Sequence, residues 1–399
     1  MASSSTINRV ILSIIVLLWV FGQFARSEER REIRIAYLDR ADDPLYFDTK
    51  GYAGLYTVEH RSPFPAAELA IDGAKAIGGA IGVTFALVHR SLGEGEDAAT
   101  ALRLLIDQQH AAAAIVDLPL DQTIAAATTV APERVPLFNA RHSEVELRRS
   151  ACRTNLFHTI PSLDMLTDGL AQGLLVRNWT RVLMLEGQAP EDAALSAAFQ
   201  ASAQKFGLAI VDARRFVLGN DPRQRDQNNV RLLSAGVTYD VVFVADASRQ
   251  FAPFVPYNTM DPRPVVGSEG LVASAWHVYW ERQGAPQLNR RFFKLSGRTM
   301  TDEDWATWVA ARAIVDAMVK NRKTPDRPLA EVLLDPGLTV ELYKGFHGSF
   351  RPWNRQFRQP ILLGTTNAVV GLAPVEGVLH KENTLDSIGL DEPEFECPG

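Results

Sequence analysis

The chain has 399 residues, of which 46% are hydrophobic and 22% are charged, and its formal net charge is −6. This composition is typical of a globular protein, and the length exceeds what one hydrophobic core usually supports, so we expect two lobes. An acidic chain without a Lys/Arg-rich tract is a poor candidate for binding nucleic acid or anionic lipid, and we exclude both as partners.

Residues 1–27 have the pattern of a secretory signal peptide. Arg9 precedes an uncharged apolar stretch at residues 10–24, and the triplet Ala25-Arg26-Ser27 places small residues at the expected cleavage positions. An uncleaved membrane anchor is the alternative, but a spanning helix needs about 20 apolar residues and this stretch is shorter. We predict cleavage after Ser27, export to the periplasm and no membrane insertion of the mature chain.

After the signal, short β-rich runs alternate with longer amphipathic patterns, which is typical of parallel sheets covered by helices. The first series of predicted elements is strand 33–38, helix 65–81, strand 84–89, helix 97–109, strand 112–116, helix 123–131 and strand 135–139. The second series is helix 164–177, strand 181–185, helix 191–206, strand 208–212, helix 224–235, strand 241–245 and strand 263–266. A last helix is predicted at 301–320, where Thr301 and Asp304 form a capping pattern. The two series predict an α/β fold with two doubly wound parallel-sheet lobes.

The chain has two cysteines, Cys152 and Cys397. In an oxidising compartment such a pair can form a disulfide, and two separate thiols are the alternative. The pair lacks the clustering of a zinc site. We expect the disulfide.

Sequence motifs for catalysis are missing. The chain contains no GKS or GKT loop, no HExxH, no CxxC and no Gly-x-Ser-x-Gly motif, and its eight histidines are scattered. These absences favour a binding protein over an enzyme.

The order of segments resembles the periplasmic type I binding proteins of branched-chain amino acid importers. The resemblance is carried by AAAIVDLPLDQT (112–123), VPLFNARHSE (135–144), CRTNLFHTIPSLD (152–164), VVFVADASRQF (241–251), VVGSEGLVAS (265–274) and TWVAARAIVDAM (307–318). It implies a solute-binding component of an ABC importer, with permease and ATPase subunits as partners. It also implies a ligand cleft between the two lobes and a chain that crosses between the lobes three times. The implied boundaries are 28–155 with 275–330 for the first lobe, 156–274 with 331–385 for the second lobe, and 386–399 for a C-terminal tail.

A narrower resemblance involves the end of the chain. Residues 365–397 (TTNAVVGLAPVEGVLHKENTLDSIGLDEPEFEC) are similar to the substrate-binding subunits that accompany PQQ-dependent alcohol dehydrogenase systems. The similarity implies a link between the solute and PQQ-dependent alcohol oxidation.

Loops that follow the carboxyl ends of parallel strands are the expected ligand site. These loops are residues 39–44, 117–120, 139–143, 187–191, 246–248 and 268–270. From them we predict nine ligand-binding residues, namely Asp43, Asp117, Leu118, Asn139, Arg141, Gln188, Asp246, Ser268 and Glu269.

The predicted loops are rich in carboxylates. Six carboxylate side chains could face one cleft, with Arg141 as the main counter-charge. They are Asp39, Asp42, Asp43, Asp117, Asp246 and Glu269. Helix N-capping is the alternative explanation for several of these side chains. In the resembled family a hydroxyl-rich loop holds the ligand carboxylate where this chain has Asp117, and Glu269 matches the family's acidic residue for a ligand amine. We therefore expect a small polar or cationic solute.

Converging carboxylates also suit hard metal ions. The alternative function is a periplasmic calcium- or lanthanide-binding or sensing protein, or an accessory factor that kept the fold without import. Apart from such an ion, no cofactor is expected.

Overall fold

The computed structural model describes residues 30–47, 60–130, 135–219, 221–378 and 380–397. The predicted signal peptide lies outside these residues, so its cleavage stays a prediction. None of the helices within the described ranges is long and apolar enough to cross a membrane.

The first lobe is built on a parallel sheet of five strands in the order β2-β1-β3-β4-β5. The strands are β1 (Arg31–Arg40), β2 (Val83–Leu92), β3 (Ala111–Asp117), β4 (Leu137–Asn139) and β5 (Leu156–His158). The helices between them are α1 (Pro44–Phe47), α2 (Phe64–Ala80), α3 (Ala98–Asp107) and α4 (Leu120–Thr129). Alternate residues of β1 enter different core clusters, with Tyr37 in one and Leu38 in the other, so both faces of the sheet are buried.

The second lobe repeats this architecture with a parallel sheet in the order β7-β6-β8-β9. Its strands are β6 (Arg181–Glu186), β7 (Ala209–Arg215), β8 (Val241–Ala245) and β9 (Val265–Gly267). Its helices are α5 (Leu163–Val176), α6 (Pro190–Lys205), α7 (Val230–Leu233) and α8 (Val255–Asn258). The predicted fold class, two lobes with parallel sheets covered by helices, is confirmed.

One predicted helix of the second lobe is divided. Residues 224–235 were expected to form a single helix, but a 3-10 turn (Pro222–Asn228) is followed by the short α7. The reason is Asn229, whose extended backbone separates the two and whose side chain accepts hydrogen bonds from the backbone amides of Arg231 and Leu232.

Each lobe also carries a small antiparallel sheet that the sequence did not predict. The second lobe has β10 (Val272–Ser274), β14 (Ile361–Thr365) and β15 (Ala368–Ala373), and the first lobe has β11 (Val340–Glu341), β12 (His347–Phe350) and β13 (Phe357–Arg358). The remaining helices are α9 (Ala285–Ser296), α10 (Asp302–Asn321) and α11 (Leu329–Leu333). The other 3-10 turns are Val145–Arg148, Ala252–Phe254, Thr384–Ser387 and Glu392–Glu394.

Packing of the first small sheet corrects one expected lobe boundary. Residues 331–358 were expected in the second lobe, but Val340, Phe350 and Phe357 share a buried cluster with Tyr37 of β1. Phe350 also contacts Phe157 of β5 edge to face, with ring centroids 5.1 Å apart. These apolar side chains pack against one face of the five-stranded sheet. Residues 331–358 therefore belong to the first lobe.

The three segments that cross between the lobes are linked through Gln359 and Trp305, which are both buried. Gln359, in the third crossover, donates from Nε2 to the carbonyl oxygen of Thr159 in the first crossover at 2.8 Å. Its Oε1 accepts from the indole of Trp305 at 2.8 Å. Trp305 stacks on Trp276 of the second crossover, with ring centroids 4.3 Å apart. The crossovers are therefore held side by side at the hinge.

A disulfide joins Cys152 and Cys397, whose Cα atoms are 6.0 Å apart. The expected pairing is confirmed, and it ties the end of the chain to the first lobe.

Candidate functional site

Three of the predicted ligand-binding residues form one ion-paired cluster at the carboxyl edge of the first sheet. Arg141, in the loop after β4, places Nη1 2.6 Å from Asp43 Oδ2 and 3.4 Å from Asp117 Oδ1. Both carboxylates are buried, and the arginine side chain is 15% exposed. The guanidinium of Arg141 is thus already paired with carboxylates of the protein.

Two tyrosines complete the surroundings of Asp117. Tyr37 donates its hydroxyl to Asp117 Oδ2 at 3.0 Å, and Tyr46 donates to the same oxygen at 2.7 Å. Burial raises the pKa of Asp117 above its usual range, and burial together with Asp117 raises the pKa of Tyr46. Asp117 is therefore satisfied by its own protein neighbours. The sequence prediction missed both tyrosines. The alternation along β1 places Tyr37 on the same sheet face as Ile35, so its pattern indicated a core residue.

Two further predicted residues support the loop that carries Arg141. Asn139 donates from Nδ2 to the carbonyl oxygen of His142 at 2.8 Å and accepts from the amides of Arg141 and His142. The carbonyl oxygen of Leu118 accepts from His142 Nε2 at 2.7 Å. Asn139 and Leu118 are fully buried and do not line the pocket described below.

The predicted acids of the second lobe are engaged locally. Asp246 Oδ2 accepts from the backbone amides of Phe251 and Ala252 at 2.7 and 2.8 Å, and its Oδ1 accepts from the hydroxyl of Ser248. Glu269 pairs with Arg249 at 3.0 Å. Asp246 therefore binds the backbone amides at the start of the 3-10 turn Ala252–Phe254, although it is not the N-cap residue that the alternative explanation required.

The two remaining acids of the predicted set have partners as well. Asp39 contacts His89 Nε2 at 2.9 Å, and Asp42 contacts Arg40 Nε at 2.9 Å. In the described ranges of the chain, no group of three or more His, Cys, Asp or Glu side chains is arranged to hold a metal ion. The described carboxylates do not form the shared cluster that a hard metal ion would need.

A pocket of about 670 Å³ opens between the lobes beside Arg141. The first lobe contributes polar side chains, namely Arg141, Ser143, Glu144 and Glu303. The second lobe contributes a largely apolar wall that includes Leu163, Leu166, Leu170, Leu195, Phe243 and Val272. Its size and its apolar lining with few polar groups are typical of small-molecule sites.

The predicted site residues divide around this pocket. Arg141 and Ser268 line it, and Asp43 and Asp117 lie directly behind Arg141. Ser268 accepts from the backbone amide of Asp246 at 2.9 Å. Gln188 is exposed and does not line the pocket, and neither does Glu269.

Sequence reasoning missed most of the pocket wall. Most of the apolar residues lie on helices α5 and α6, and Phe243 and Val272 lie on strands β8 and β10, whereas the prediction was confined to loops. Glu303 lies in the first turn of α10, next to the predicted capping residue Thr301, and this proximity was the one available signal.

Charge in the pocket is unbalanced. Among the residues that the structure describes, Glu144, Glu191 and Glu303 line it together with a single arginine, which Asp43 already neutralises. A second anion placed here would meet several like charges at short range. The arrangement can accept an apolar body together with a neutral or positively charged polar group.

Comparison with known proteins bears on the whole fold. A branched-chain amino acid ABC transporter ligand-binding protein from Burkholderia xenovorans superposes with a TM-score of 0.65 at 14% identity, covering 85% of this chain and 95% of its own. A substrate-binding protein from Desulfitobacterium hafniense, in complex with leucine, gives 0.62 at 19% identity, covering 85% and 99%. A solute-binding protein from R. palustris, in complex with benzoate, gives 0.60 at 10% identity, covering 92% and 100%.

At these identities the structural likeness establishes the fold alone. A search of curated proteins finds no match. The profile of the family described as periplasmic binding protein matches residues 54–256, which is about half of the chain. The chain therefore belongs to the periplasmic binding protein family.

Proposed function

We propose that this protein is the solute-binding component of an ABC importer and that it carries out no catalysis. Its lobes close on a small organic molecule with an apolar body and an amine or hydroxyl group. The observation that supports this solute class is the interlobe pocket, in which an apolar wall faces a polar edge with more acids than bases.

The paired state of Arg141 supports the neutral or cationic character of the solute. A carboxylate ligand would have to compete with Asp43 for the guanidinium, and it would lie close to Glu144 and Glu303. An ammonium group meets the opposite situation, because either glutamate can accept a charge-assisted hydrogen bond from it. A hydroxyl group can donate to the same glutamate oxygens, and the solute then carries no charge that has to lose its water.

The relatives give a scale for the apolar body. Leucine and benzoate, the ligands of two similar proteins, both have bodies that a pocket of about 670 Å³ accommodates. We propose that this chain accepts bodies of that size but disfavours a free carboxylate.

Calorimetric titration with two matched series tests the proposal. The first series is benzylamine, benzyl alcohol and benzoate, and the second is isoamylamine, isoamyl alcohol and isovalerate. We expect the amine of at least one series to bind most tightly and its carboxylate most weakly. Tightest binding of a carboxylate, or no binding by any of the six, would contradict the proposal.

Glu303→Gln gives the site-specific arm of this experiment. The substitution keeps the shape of the side chain and removes its charge, so amine affinity should fall about tenfold, which corresponds to about 1.4 kcal/mol. Alcohol affinity should change much less. Glu281→Gln, at an exposed position outside the pocket, is the matched control and should bind like the wild type.

We further propose that the partners are permease and ATPase subunits and that the solute feeds, or reports on, PQQ-dependent alcohol oxidation. Family membership supports the first part and the sequence of residues 365–397 supports the second. A strain that lacks this protein should grow more slowly on an alcohol that requires the PQQ enzyme, and equally well on succinate. Equal growth on both carbon sources would contradict the link.

Solute binding is proposed to need no resident cofactor or metal ion. Asp246 and Glu269, the second-lobe acids of the metal alternative, are engaged by backbone amides and by Arg249. Titration with calcium and with a trivalent lanthanide should give neither heat nor a thermal shift. Saturable binding that Asp117→Ala abolishes would favour the metal alternative.

A further inference from the structure

A segment near the C-terminal end of the described residues contacts both lobes at once. On the first-lobe side, Arg351 is fully buried and donates from Nη2 to the carbonyl oxygens of Leu385 and Ile388 at 3.0 and 2.6 Å. Its Nε donates to Asp386 Oδ1 at 2.7 Å, and Arg358 donates to the same carboxylate. Arg351 directly follows Phe350, which belongs to the first-lobe core.

On the second-lobe side, the same short segment contacts helices α5 and α6. The backbone amide of Gly389 donates to Asp168 Oδ2 at 2.8 Å, and Lys205 donates to the carbonyl oxygen of Gly389 at 3.0 Å. Gln172 donates to the carbonyl oxygen of Ser387 at 3.2 Å. Ile388 is buried against Met165 of α5.

The chain then returns to the first lobe and is fixed there covalently. Cys397 is bonded to Cys152, which lies between the 3-10 turn Val145–Arg148 and strand β5. Residues 384–397, which we name the strap, are thus attached to the first lobe at Arg351, to the second lobe at Asp168, and to the first lobe again at the disulfide.

We propose that the strap is a fourth connection between the lobes, which limits how far they open, and that the disulfide keeps it in place. The inference rests on the proposed function, in which the lobes close on a solute. The three crossovers at Gln359 permit rotation about the hinge, but wide opening must separate Asp168 from Gly389 or Arg351 from Asp386. The first separation removes one hydrogen bond from the buried Asp168 carboxylate, and the second leaves the buried Arg351 guanidinium without its carboxylate partner. Both are unfavourable.

Breaking the disulfide removes the covalent end of the strap. The strap can then detach from one lobe, because its far end is no longer fixed. Water can replace the hydrogen-bond partners that it loses. Reduction is therefore expected to populate more widely opened forms of the protein. The strap thereby couples the oxidising state of the compartment to the opening of the solute site.

Solution scattering and hydrogen exchange of the solute-free protein test the proposal. Because no solute is involved, a wrong solute class cannot affect the result. Reduction of the folded wild type with a phosphine should increase the radius of gyration. It should also accelerate exchange of the Gly389 amide about tenfold or more. The double variant Cys152→Ser, Cys397→Ser should match the reduced protein and should not respond further to the phosphine.

Asp168→Asn is a second, independent arm because it leaves the disulfide intact. It removes the carboxylate that holds the Gly389 amide and Lys205, so it should also accelerate Gly389 exchange and increase the radius of gyration. Circular dichroism confirms that each variant is folded. Unchanged scattering and unchanged Gly389 exchange in reduced wild type would overturn the proposal, whatever the variants show.

Discussion

Arg141 Nη1 lies 2.6 Å from Asp43 Oδ2, so the arginine that lines the described part of the interlobe pocket is paired within the protein itself. Asp43 and Arg141 come from loops after β1 and β4, and a parallel sheet brings the ends of these strands to the same edge. The pairing converts a potential anion site into a nearly neutral surface. The remaining glutamates then determine the sign of the charge that a solute encounters.

Removing the arginine should destabilise the protein strongly. Arg141→Ala leaves Asp43 and Asp117 buried without their cation, and we expect a loss of about 3–5 kcal/mol in the free energy of unfolding at pH 7. Arg141→Lys keeps the charge but loses the contact of Nη1 and Nη2 with the two oxygens of Asp43, so its loss of stability should be smaller than that of the alanine variant. Denaturant titration measures both. Wild-type stability of the alanine variant would contradict the ion-paired cluster.

Asp302 should make the stability of the protein depend on pH. It accepts from the backbone amides of Ala275 and Trp276 at 3.0 and 2.8 Å, and burial, assisted by Glu303, raises its pKa to about 6. A carboxyl group with a raised pKa in the folded state stabilises the protein below its unfolded pKa of about 4. That stability is lost as the pH rises through about 6.

Asp302→Asn removes this titration. Relative to wild type, the free energy of unfolding of the variant should rise by about 2 kcal/mol between pH 4 and pH 8, after any constant effect of the amide is subtracted. Thermal melts across this pH range measure the difference, and exposed Asp326→Asn is the control. A difference that stays constant with pH would show that Asp302 does not titrate in this range.

The loop that carries Ser268 depends on a glycine. Gly270 has φ +74°, and a Cβ there would overlap the carbonyl oxygen of Val265. Gly270→Ala should therefore cost about 2 kcal/mol or more. Gly297 has the same φ but open space around it, so Gly297→Ala should cost only about 1 kcal/mol. Equal losses for the two variants would refute the steric part of the argument.

Processing of the N-terminus remains a sequence-based prediction. The short apolar stretch and the triplet Ala25-Arg26-Ser27 predict a mature protein that begins at or near Glu28. N-terminal sequencing of protein from the periplasmic fraction checks this. Recovery of the full-length chain from the membrane fraction would contradict it.

Most of the parallel core could be predicted because its signals are local. Strand β8 (Val241–Ala245) was predicted to the residue from its apolar run, and α10 from the capping pair Thr301 and Asp304. The small antiparallel sheet of the first lobe escaped prediction because strands of two residues, such as β11 and β13, carry too little periodicity. Their placement depends on distant packing partners, which is why the boundary at residue 331 was wrong.

The site could be predicted only in part, for a related physical reason. Strand ends identify loops, and that rule found Arg141, Asp43 and Asp117. Whether a carboxylate is free depends on partners from elsewhere in the chain, such as Arg249 for Glu269, which no local pattern reveals. The apolar wall contributed by α5 reads in the sequence like an ordinary core face.

Native mass spectrometry of the protein purified from its own periplasm, with identification of the released molecule, tests the central claim most directly. The claim is that the interlobe pocket selects an apolar body with a neutral or cationic group. We predict a retained organic solute that carries an amine or a hydroxyl and no unpaired carboxylate, and its retention should be lost in the variant Glu303→Gln if it is an amine. A retained carboxylate anion or a retained metal ion would contradict the account.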